Sequence, residues 1–212
     1  MKPTVVLADD HAILTEGLGV LLNQAFQVVA IVSNGREALQ AVRDLRPAAV
    51  VLDISMPQLN GIDTAREIRT FDRKVKIVFL TMHTEVGFVR EAFQIGASAY
   101  VLKHSASLDL RLAIERALKG LKYITPGIVE NGVAGLLGQV RGERTPSAEL
   151  TQRQREVVQL LAEGRSAKEA AAILHVSSRT IEFHKYRLMK QLGVHTTAEL
   201  TQFAIRERLI TA

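Results

Sequence analysis

The first 120 residues alternate between short apolar runs and stretches with helical periodicity. Five runs are rich in β-branched residues and apolar at nearly every position, as expected for strands that helices cover on both faces. The stretches between them repeat apolar residues every three or four positions, which is typical of amphipathic helices. The runs are TVVLA, QVVAIV, AAVVLD, VKIVFLT and SAYVLK. This pattern predicts an α/β domain of (βα)5 order with a parallel five-stranded sheet over residues 1–120.

The amino-acid composition and the apolar pattern of the chain change after residue 120. Residues 121–149 contain two prolines and five glycines around a short apolar segment, which favours a linker with a short helix. From residue 150 to residue 212 the apolar positions follow helical periodicity, and no run favours a strand. Capping boxes predict three helix starts, at Thr151 with Gln154, Ser166 with Glu169 and Thr196 with Glu199. A further helix is predicted after Ser177, so this segment should be a small all-α domain.

The composition narrows the class of protein. The 212 residues contain no cysteine, which excludes disulfides and thiolate metal sites and favours a reducing cytoplasm. No apolar stretch approaches the length of a membrane span, and the first residues lack the apolar core of a secretory signal. The sequence therefore predicts a cytoplasmic protein with no membrane partner.

Positive charge is concentrated in the C-terminal part of the chain. Residues 151–212 carry 10 Lys and Arg against 6 Asp and Glu, whereas residues 1–120 carry 14 against 13. Such a surplus suits a polyanionic partner, although it is also common on solvated surfaces. Its interpretation depends on whether the same segment holds a nucleic-acid-binding motif.

Carboxylate, hydroxyl and amine side chains follow four of the five predicted strands. Asp9 and Asp10 end the first strand, Asp53 the third, Thr81 the fourth and Lys103 the fifth. Chemistry in parallel α/β sheets gathers at the carboxyl edge, so these side chains are expected to lie together. Taken singly, Asp53 is better explained as a cap of the following loop than as a nucleophile. The coincidence at four strand ends favours a functional site.

Crowded carboxylates require protonation or a cation, because their charges repel one another. Oxygen ligands without thiolates favour Mg²⁺ as that cation. With the metal bound, the carboxylate of Asp53 can attack phosphorus as a nucleophile and form an aspartyl phosphate. Lys103 would then pair with the phosphoryl oxygens, and Thr81 would donate a hydrogen bond to one of them. The sequence therefore predicts that Asp53 is a phosphoryl acceptor.

The motifs VLADD, VVLDISMPQLNG, IVFLT and AYVLK, at these separations, resemble a response-regulator receiver domain over residues 1 to about 120. The resemblance implies a flavodoxin-like fold and phosphorylation of Asp53 by a sensor histidine kinase. It also implies that Asp9 or Asp10, with Asp53 and the backbone carbonyl of Ser55, binds Mg²⁺. Asp10 is favoured over Asp9 as the direct ligand.

The resemblance further implies that Thr81 and Tyr100 form a switch pair. The hydroxyl would move toward the phosphoryl oxygens while the aromatic ring turns inward, in response to the added negative charge. Lys103 is followed by His104, where many receivers have a proline after a cis bond, so a trans loop is expected. The histidines beside the strand ends are interpreted as bystanders: His11, His83 and His104.

Two capped helices joined by a short turn after residue 166 follow the helix-turn-helix plan. On the second helix Ile181 and Leu188 line one face, and Phe183 and Tyr186 lie among basic residues on the other. This second face suits the DNA major groove, where Phe183 would contact a thymine methyl and Glu182 a cytosine amino group. The alternative is that both rings cover an adjoining helix. The predicted DNA contacts are Arg179, Thr180, Glu182, Phe183, Lys185, Tyr186, Arg187 and Lys190, with the cations mostly on phosphates.

The segment from Leu150 to about Ile205 resembles the LuxR-type helix-turn-helix, and with the receiver the chain resembles a bacterial NarL/FixJ-type transcriptional regulator. The resemblance implies binding to double-stranded DNA, homodimers when phosphorylated or DNA-bound, and RNA polymerase as a further partner. It also implies a dimer contact on the last helix, about residues 197–208. The apolar positions of that helix fit such a contact and fit core packing equally well: Leu200, Phe203 and Ala204.

Two rival functions remain open. A phosphatase that turns over through an aspartyl phosphate would also use a strand-end aspartate. Such enzymes of the haloacid dehalogenase type need a second aspartate two residues later, where this chain has Ser55. In the other rival, the receiver is a phosphate-free dimerisation module. The predicted function is a two-component response regulator whose only catalysis is its own phosphoryl transfer and slow autodephosphorylation.

Overall fold

A computed structural model describes residues 1–129 and 150–210 of the chain. The chain divides into two compact units, residues 1–141 and 142–212. In the described residues the first unit is an α/β domain and the second consists of helices, as the apolar pattern predicts.

One parallel sheet and the helices between its strands form the first unit. The strands are β1 (Thr4–Ala8), β2 (Gln27–Val32), β3 (Ala49–Leu52), β4 (Lys76–Thr81), β5 (Ala99–Leu102) and β6 (Tyr123–Ile124). The helices are α1 (Ala12–Asn23), α2 (Gly35–Leu45), α3 (Gly61–Phe71), α4 (Val86–Gln94) and α5 (Ala106–Leu118). The strand order is β2-β1-β3-β4-β5-β6, with every neighbouring pair parallel. The order reverses beside β1, where a doubly wound sheet forms its crevice.

Side chains along each central strand alternate between two apolar cores. Val5 and Leu7 of β1 pack on the side of α1 and α5, whereas Val6 and Ala8 pack on the side of α2, α3 and α4. Because both faces are covered, the middle positions of these strands are apolar or aromatic. The charged residues that follow the strands therefore collect at one edge of the sheet.

The sheet has six strands where the sequence predicted five. Residues 121–129, which were assigned to the linker, form β6 and the helical turn α6 (Pro126–Val129). The Thr125 hydroxyl accepts a hydrogen bond from the Leu102 N–H at 3.1 Å, and Ile128 is fully buried in the core beside α2, α3 and α4. Proline is compatible with the first position of a helix, so it did not mark a linker here. The rest of the predicted linker lies outside the described residues.

Four helices form the described part of the second unit: α7 (Gln152–Ala162), α8 (Ala167–Leu174), α9 (Ser178–Leu192) and α10 (Thr197–Arg206). Reciprocal capping boxes begin α7 and α8, as predicted. At the start of α10 the Thr196 side chain accepts from the Glu199 N–H, while the Glu199 carboxylate accepts from the His195 N–H. These caps satisfy amides that a helix start leaves without partners.

The second and third of these helices form a helix-turn-helix. Helix α8 ends at Leu174, the left-handed backbone of the next residue, His175 (φ 53°), makes the turn compact, and the Ser177 side chain then caps α9. Helices α7 and α10 complete one apolar core with this pair. Leu200, Phe203 and Ala204 of α10 are buried in that core, so these three positions pack within their own domain rather than presenting a dimer surface.

Candidate functional site

Strand register brings three predicted site residues together at the carboxyl edge of the sheet. The Asp53 N–H donates to the Ala8 carbonyl at 2.9 Å, which sets the end of β3 beside the end of β1. Asp9 and Asp53 are both 2% exposed. Lys103 follows β5 and reaches across the ends of the strands toward both carboxylates. We call Asp9, Asp10, His11, Asp53 and Lys103 the acidic pocket.

Lys103 bridges the two buried carboxylates. Its Nζ lies 2.8 Å from Oδ2 of Asp53 and 2.8 Å from Oδ2 of Asp9. Burial raises the pKa of the Asp53 carboxyl, and the charge of Lys103 only partly offsets that rise. Burial opposes the charge of Lys103, but the two carboxylates prevail and raise the pKa of its ammonium. The prediction that Lys103 lies beside Asp53 agrees with this geometry, and every peptide bond in the described residues is trans.

The carboxylates of the acidic pocket fit a divalent cation. One oxygen each of Asp9, Asp10 and Asp53 and a ring nitrogen of His11 all lie within 4.8 Å of one another. Oδ2 of Asp9 is buried and receives no well-directed hydrogen bond from the described residues, although Lys103 Nζ is at ion-pair distance. Asp10 is exposed and can turn toward a metal. A set of carboxylate oxygens with one open side suits Mg²⁺, which retains several water ligands.

His11 belongs to this pocket, which sequence reasoning missed. Its Nδ1 lies 2.8 Å from Oδ1 of Asp9 and 3.0 Å from Oδ1 of Asp10, and its backbone N–H donates to Asp9. Its position directly after the two aspartates was the one available signal. His11 therefore contacts both carboxylates, which the sequence analysis did not predict; that it takes no part in the chemistry stays a prediction.

A second histidine links the predicted switch residues to Ser55. The ring Nε2 of His83 lies 2.8 Å from the Ser55 hydroxyl, and the ring packs on Phe88 with centroids 4.2 Å apart. The His83 N–H donates to the Thr81 hydroxyl at 3.3 Å, and the His83 carbonyl accepts from the Tyr100 hydroxyl at 3.0 Å. Tyr100 is fully buried, so its ring already points inward. The sequence suggested that His83 is also a bystander, but His83 contacts Ser55, Thr81 and Tyr100.

The loop after Asp53 is held close to the pocket by a glycine. A side chain at Gly61 would place its first carbon 2.0 Å from the Asp53 carbonyl oxygen, so only glycine fits there. The Gly61 N–H donates to the Ile54 carbonyl at 2.9 Å, and Asn60 caps helix α3 through the Asp63 N–H. The backbone N–H of Ser55 favours the charged form of Asp53 and so lowers the pKa of that carboxyl, although burial outweighs it. That the Ser55 carbonyl is a metal ligand stays a prediction.

The exposed face of α9 is the second candidate site. Ile181 and Leu188 are buried against the domain core, as predicted. Phe183 is 57% exposed and Tyr186 is 70% exposed, so neither ring covers an adjoining helix in the described residues. Six predicted DNA contacts are exposed and form what we call the recognition-helix surface: Arg179, Glu182, Phe183, Tyr186, Arg187 and Lys190.

The other two predicted contacts are less accessible. Thr180 and Lys185 are half-buried, and the Thr180 hydroxyl lies 2.8 Å from the Ser177 hydroxyl at the start of the helix. The Arg187 guanidinium lies over the Phe183 ring, 5.5 Å from its centroid. No ion pair within the described ranges involves Arg179, Arg187 or Lys190, which leaves their charges available to an external anion.

Comparison with protein families matches both domains of the chain. The model of the response regulator receiver domain matches residues 5–115, which is more than half of the chain. The chain belongs to the response regulator family. A second model, that of bacterial regulatory proteins of the luxR family, matches residues 148–204. This response regulator therefore carries a LuxR-type DNA-binding domain after its receiver domain.

Known relatives of this response regulator match either nearly its full length or about two thirds of it. It is 32% identical to the oxygen regulatory protein NreC of Staphylococcus aureus, over 97% of this chain and 98% of that one. A LuxR-family two-component response regulator from Aurantimonas is 34% identical, with a TM-score of 0.61, over 66% of this chain and all of that one. A structure of two RcsB dimers bound to two parallel DNAs is 26% identical, with a TM-score of 0.58, over 96% and 98% of the two chains.

Among the described residues, no helix of this response regulator is long and apolar enough to cross a membrane.

The fold class and family predicted from the sequence are confirmed. The individual roles of Asp53, Thr81 and Tyr100, and those of the recognition-helix surface, stay predictions.

Proposed function

We propose that a sensor histidine kinase transfers a phosphoryl group to Asp53 of this response regulator. We further propose that this modification controls homodimerisation and sequence-specific binding to double-stranded DNA. The observation that supports the proposal most directly is the buried carboxylate of Asp53, 2.8 Å from the Lys103 ammonium and within 4.8 Å of two further aspartates. A lone loop cap would need neither the lysine nor the neighbouring carboxylates.

The chemistry follows from these contacts. An Asp53 carboxylate oxygen attacks phosphorus, and the bond between phosphorus and the donor nitrogen breaks as the new bond forms. Lys103 then pairs with a phosphoryl oxygen in place of the carboxylate oxygen it contacts now. Asp9, Asp10, Asp53 and the Ser55 carbonyl would hold Mg²⁺, which when bound offsets the negative charge on the phosphoryl oxygens. Slow hydrolysis of the aspartyl phosphate is the only other reaction proposed for the chain.

The switch is proposed to act through His83. Its N–H donates to the Thr81 hydroxyl, and its carbonyl accepts from Tyr100. When the Thr81 hydroxyl turns to donate to a phosphoryl oxygen, its contact with the His83 N–H is lost and the loop before α4 is free to move. Tyr100 is held by the same loop, so its ring and the loop shift together. In this proposal the buried Tyr100 ring corresponds to the inward position of the switch.

The recognition-helix surface is proposed to enter the major groove. Exposed Phe183 and Glu182 would contact base edges, and Arg179, Arg187 and Lys190 would mainly engage phosphates. In a homodimer two such helices would meet half-sites about one helical turn apart, or about 34 Å. RNA polymerase is a further proposed partner, and the bacterial cytoplasm is the proposed place of action.

Sedimentation velocity combined with DNA binding tests this proposal. The wild-type protein and Asp53→Asn are compared with and without Mg²⁺ and a small acyl phosphate. A duplex selected from a random pool with the phosphorylated protein serves as the probe. We expect the donor to increase dimer formation and duplex affinity in the wild type only. Equal affinity in both proteins under all conditions would instead support a phosphate-free dimerisation module.

A further inference from the structure

A basic cleft lies at the edge of the sheet opposite to Asp53. It is bordered by the C-terminal ends of α2 and α3 and by the residues that lead into β3 and β4. Its volume is about 780 Å³, which is within the range of pockets that hold small molecules. The residues that carry its chemistry are Arg43, Arg46, Phe71, Asp72 and Lys74. None of these residues belongs to the acidic pocket or to the recognition-helix surface.

The net charge of the cleft is positive. Arg43, Arg46 and Lys74 are exposed, and no ion pair in the described part of the chain involves them. Asp72 is the one acidic residue of the lining. Its Oδ1 already accepts the backbone N–H groups of Lys74 at 2.7 Å and Val75 at 3.0 Å, because it closes its own loop. Three cations and one carboxylate therefore line the cleft, and the carboxylate is held in place by its own loop.

An aromatic ring and a guanidinium form a flat wall of the cleft. Phe71 is 41% exposed, which is unusual for the last residue of a helix whose other apolar residues are mostly buried. The Arg43 guanidinium lies over this ring at 4.7 Å from its centroid. Stacking fixes the guanidinium without a carboxylate partner and keeps its N–H groups available. A planar ring of a ligand can stack against such a pair.

Arg46 holds a backbone conformation that favours glycine. It ends α2 in the left-handed region with φ 43° and ψ 58°, where a non-glycine residue costs about 1 kcal/mol. Glycine would end the helix without this strain, yet the chain has a cation at the rim of the cleft. Residues held in such conformations are concentrated at functional sites. The strain supports a role for the guanidinium itself.

We propose that this cleft binds a nucleoside phosphate. The phosphate oxygens would pair with Arg46 and Lys74, because guanidinium and ammonium groups recognise phosphate through charge-assisted hydrogen bonds. The base would stack on the Phe71 and Arg43 wall. The four residues of β3 separate the cleft from Asp53 by about 13 Å, so the two sites do not share ligands.

Fluorescence titration of the full chain with adenosine diphosphate carrying a ribose-linked fluorophore tests the proposal. Excess chelator keeps divalent cations out of the acidic pocket. We expect saturable binding that is roughly tenfold weaker in Arg46→Gly and in Lys74→Ala, the loss expected for one charge-assisted contact. Arg46→Gly also removes the backbone strain, so the variant should not lose binding through unfolding. Lys119→Ala, which removes an exposed cation outside the cleft, should bind within about twofold of the wild type.

Competition with unlabelled ligands then tests the base contact. We expect adenosine diphosphate to compete better than pyrophosphate, and Phe71→Leu to weaken adenosine diphosphate by roughly tenfold with pyrophosphate nearly unchanged. Equal competition by pyrophosphate would overturn the assignment to nucleoside phosphates. Absence of saturable binding would overturn the site altogether, as would binding that Arg46→Gly and Lys74→Ala leave unchanged.

Discussion

The acidic pocket and the recognition-helix surface both concentrate charge, but they compensate it in opposite ways. In the pocket, two carboxylates that are 2% exposed share one lysine at 2.8 Å. On the surface, Arg179, Arg187 and Lys190 lie in solvent without an ion pair among the described residues. A buried charge must be paired with an opposite charge inside the fold. An exposed charge is solvated by water and can pair later with an opposite charge on a binding partner. The two regions should therefore respond differently to the loss of a single side chain.

The largest effect on stability is expected from Lys103→Met in the acidic pocket. The substitution leaves two buried carboxylates without their cation, which should lower the free energy of unfolding by about 3 kcal/mol. Urea unfolding of the full chain, followed by circular dichroism, measures the change. Mg²⁺ should restore part of the loss, since it offers the carboxylates another cation.

Lys119→Met is the matched control for that experiment, because Lys119 is an exposed residue at the end of α5. Its effect should stay within about 0.5 kcal/mol. A similar loss in both variants, or a loss below about 1 kcal/mol for Lys103→Met, would mean that the pocket does not depend on its lysine.

Two substitutions on α9, two residues apart, should separate stability from DNA binding. Ile181→Ala removes a fully buried side chain and should cost about 2 to 4 kcal/mol of unfolding free energy. Phe183→Ala removes an exposed ring and should change stability by about 0.5 kcal/mol or less, while lowering the affinity for the selected duplex roughly tenfold. Urea unfolding and fluorescence anisotropy measure the two quantities. Unchanged DNA affinity in Phe183→Ala would contradict the proposed groove contact.

Contacts of the exposed cations Arg187 and Lys190 with DNA phosphates should be measurable as a salt dependence of DNA binding. Each phosphate contact contributes about 0.9 to the slope of the logarithm of affinity against the logarithm of salt concentration. Arg187→Ala and Lys190→Ala should each reduce that slope by about 0.9 per half-site, with the preferred sequence unchanged. Glu182→Gln should leave the slope nearly unchanged and alter the preferred base instead. If Glu182→Gln changed the salt slope while Arg187→Ala or Lys190→Ala changed the preferred base, the basic side chains would contact bases and the proposed assignment would be wrong.

The smallest effect on stability is expected from protonation of Glu169, at the start of α8, when the pH is lowered. The hydroxyl and the N–H of Ser166 both donate to the Glu169 carboxylate and lower its pKa below the ordinary value of 4.5. A carboxylate with a lowered pKa stabilises the fold above the pKa of the unfolded chain, and this contribution is lost as the pH falls through the folded value. Stability should therefore depend less on pH below about 4.5 in Glu169→Gln than in the wild type.

Urea midpoints at several pH values check this difference. Glu182→Gln is the control, since it removes a carboxylate from the exposed face of α9 without touching a helix cap. If Glu169→Gln followed the wild-type pH dependence, the capping box would be indifferent to the charge of its carboxylate.

Sequence reasoning was most effective where a buried strand ends in a polar residue. Asp9, Asp53 and Lys103 were predicted to meet because parallel strands share a carboxyl edge, and the ion-pair distances agree. On α9, the burial of Ile181 and the exposure of Phe183 followed from helical periodicity. In both cases a regular element fixed the position of the side chain.

The features that were missed depend on loops and on tertiary contacts. The rings of His11 and His83 reach the site from loops, whose paths no periodicity specifies. Strand β6 has two residues, too few to produce a pattern, and it forms because it pairs with β5. The left-handed turn at Arg46 carries no glycine to signal it. Each of these features could be identified only from the folded structure.

The decisive experiment is to measure the intact mass of the protein after incubation with Mg²⁺ and a small acyl phosphate, with Asp53→Asn treated in parallel. We expect one added phosphoryl group on the wild type, none on Asp53→Asn, and none on the wild type when the metal is chelated. Addition to both proteins would place the acceptor elsewhere. No addition under any donor or metal condition would contradict the proposed switch and leave a DNA-binding protein under some other control.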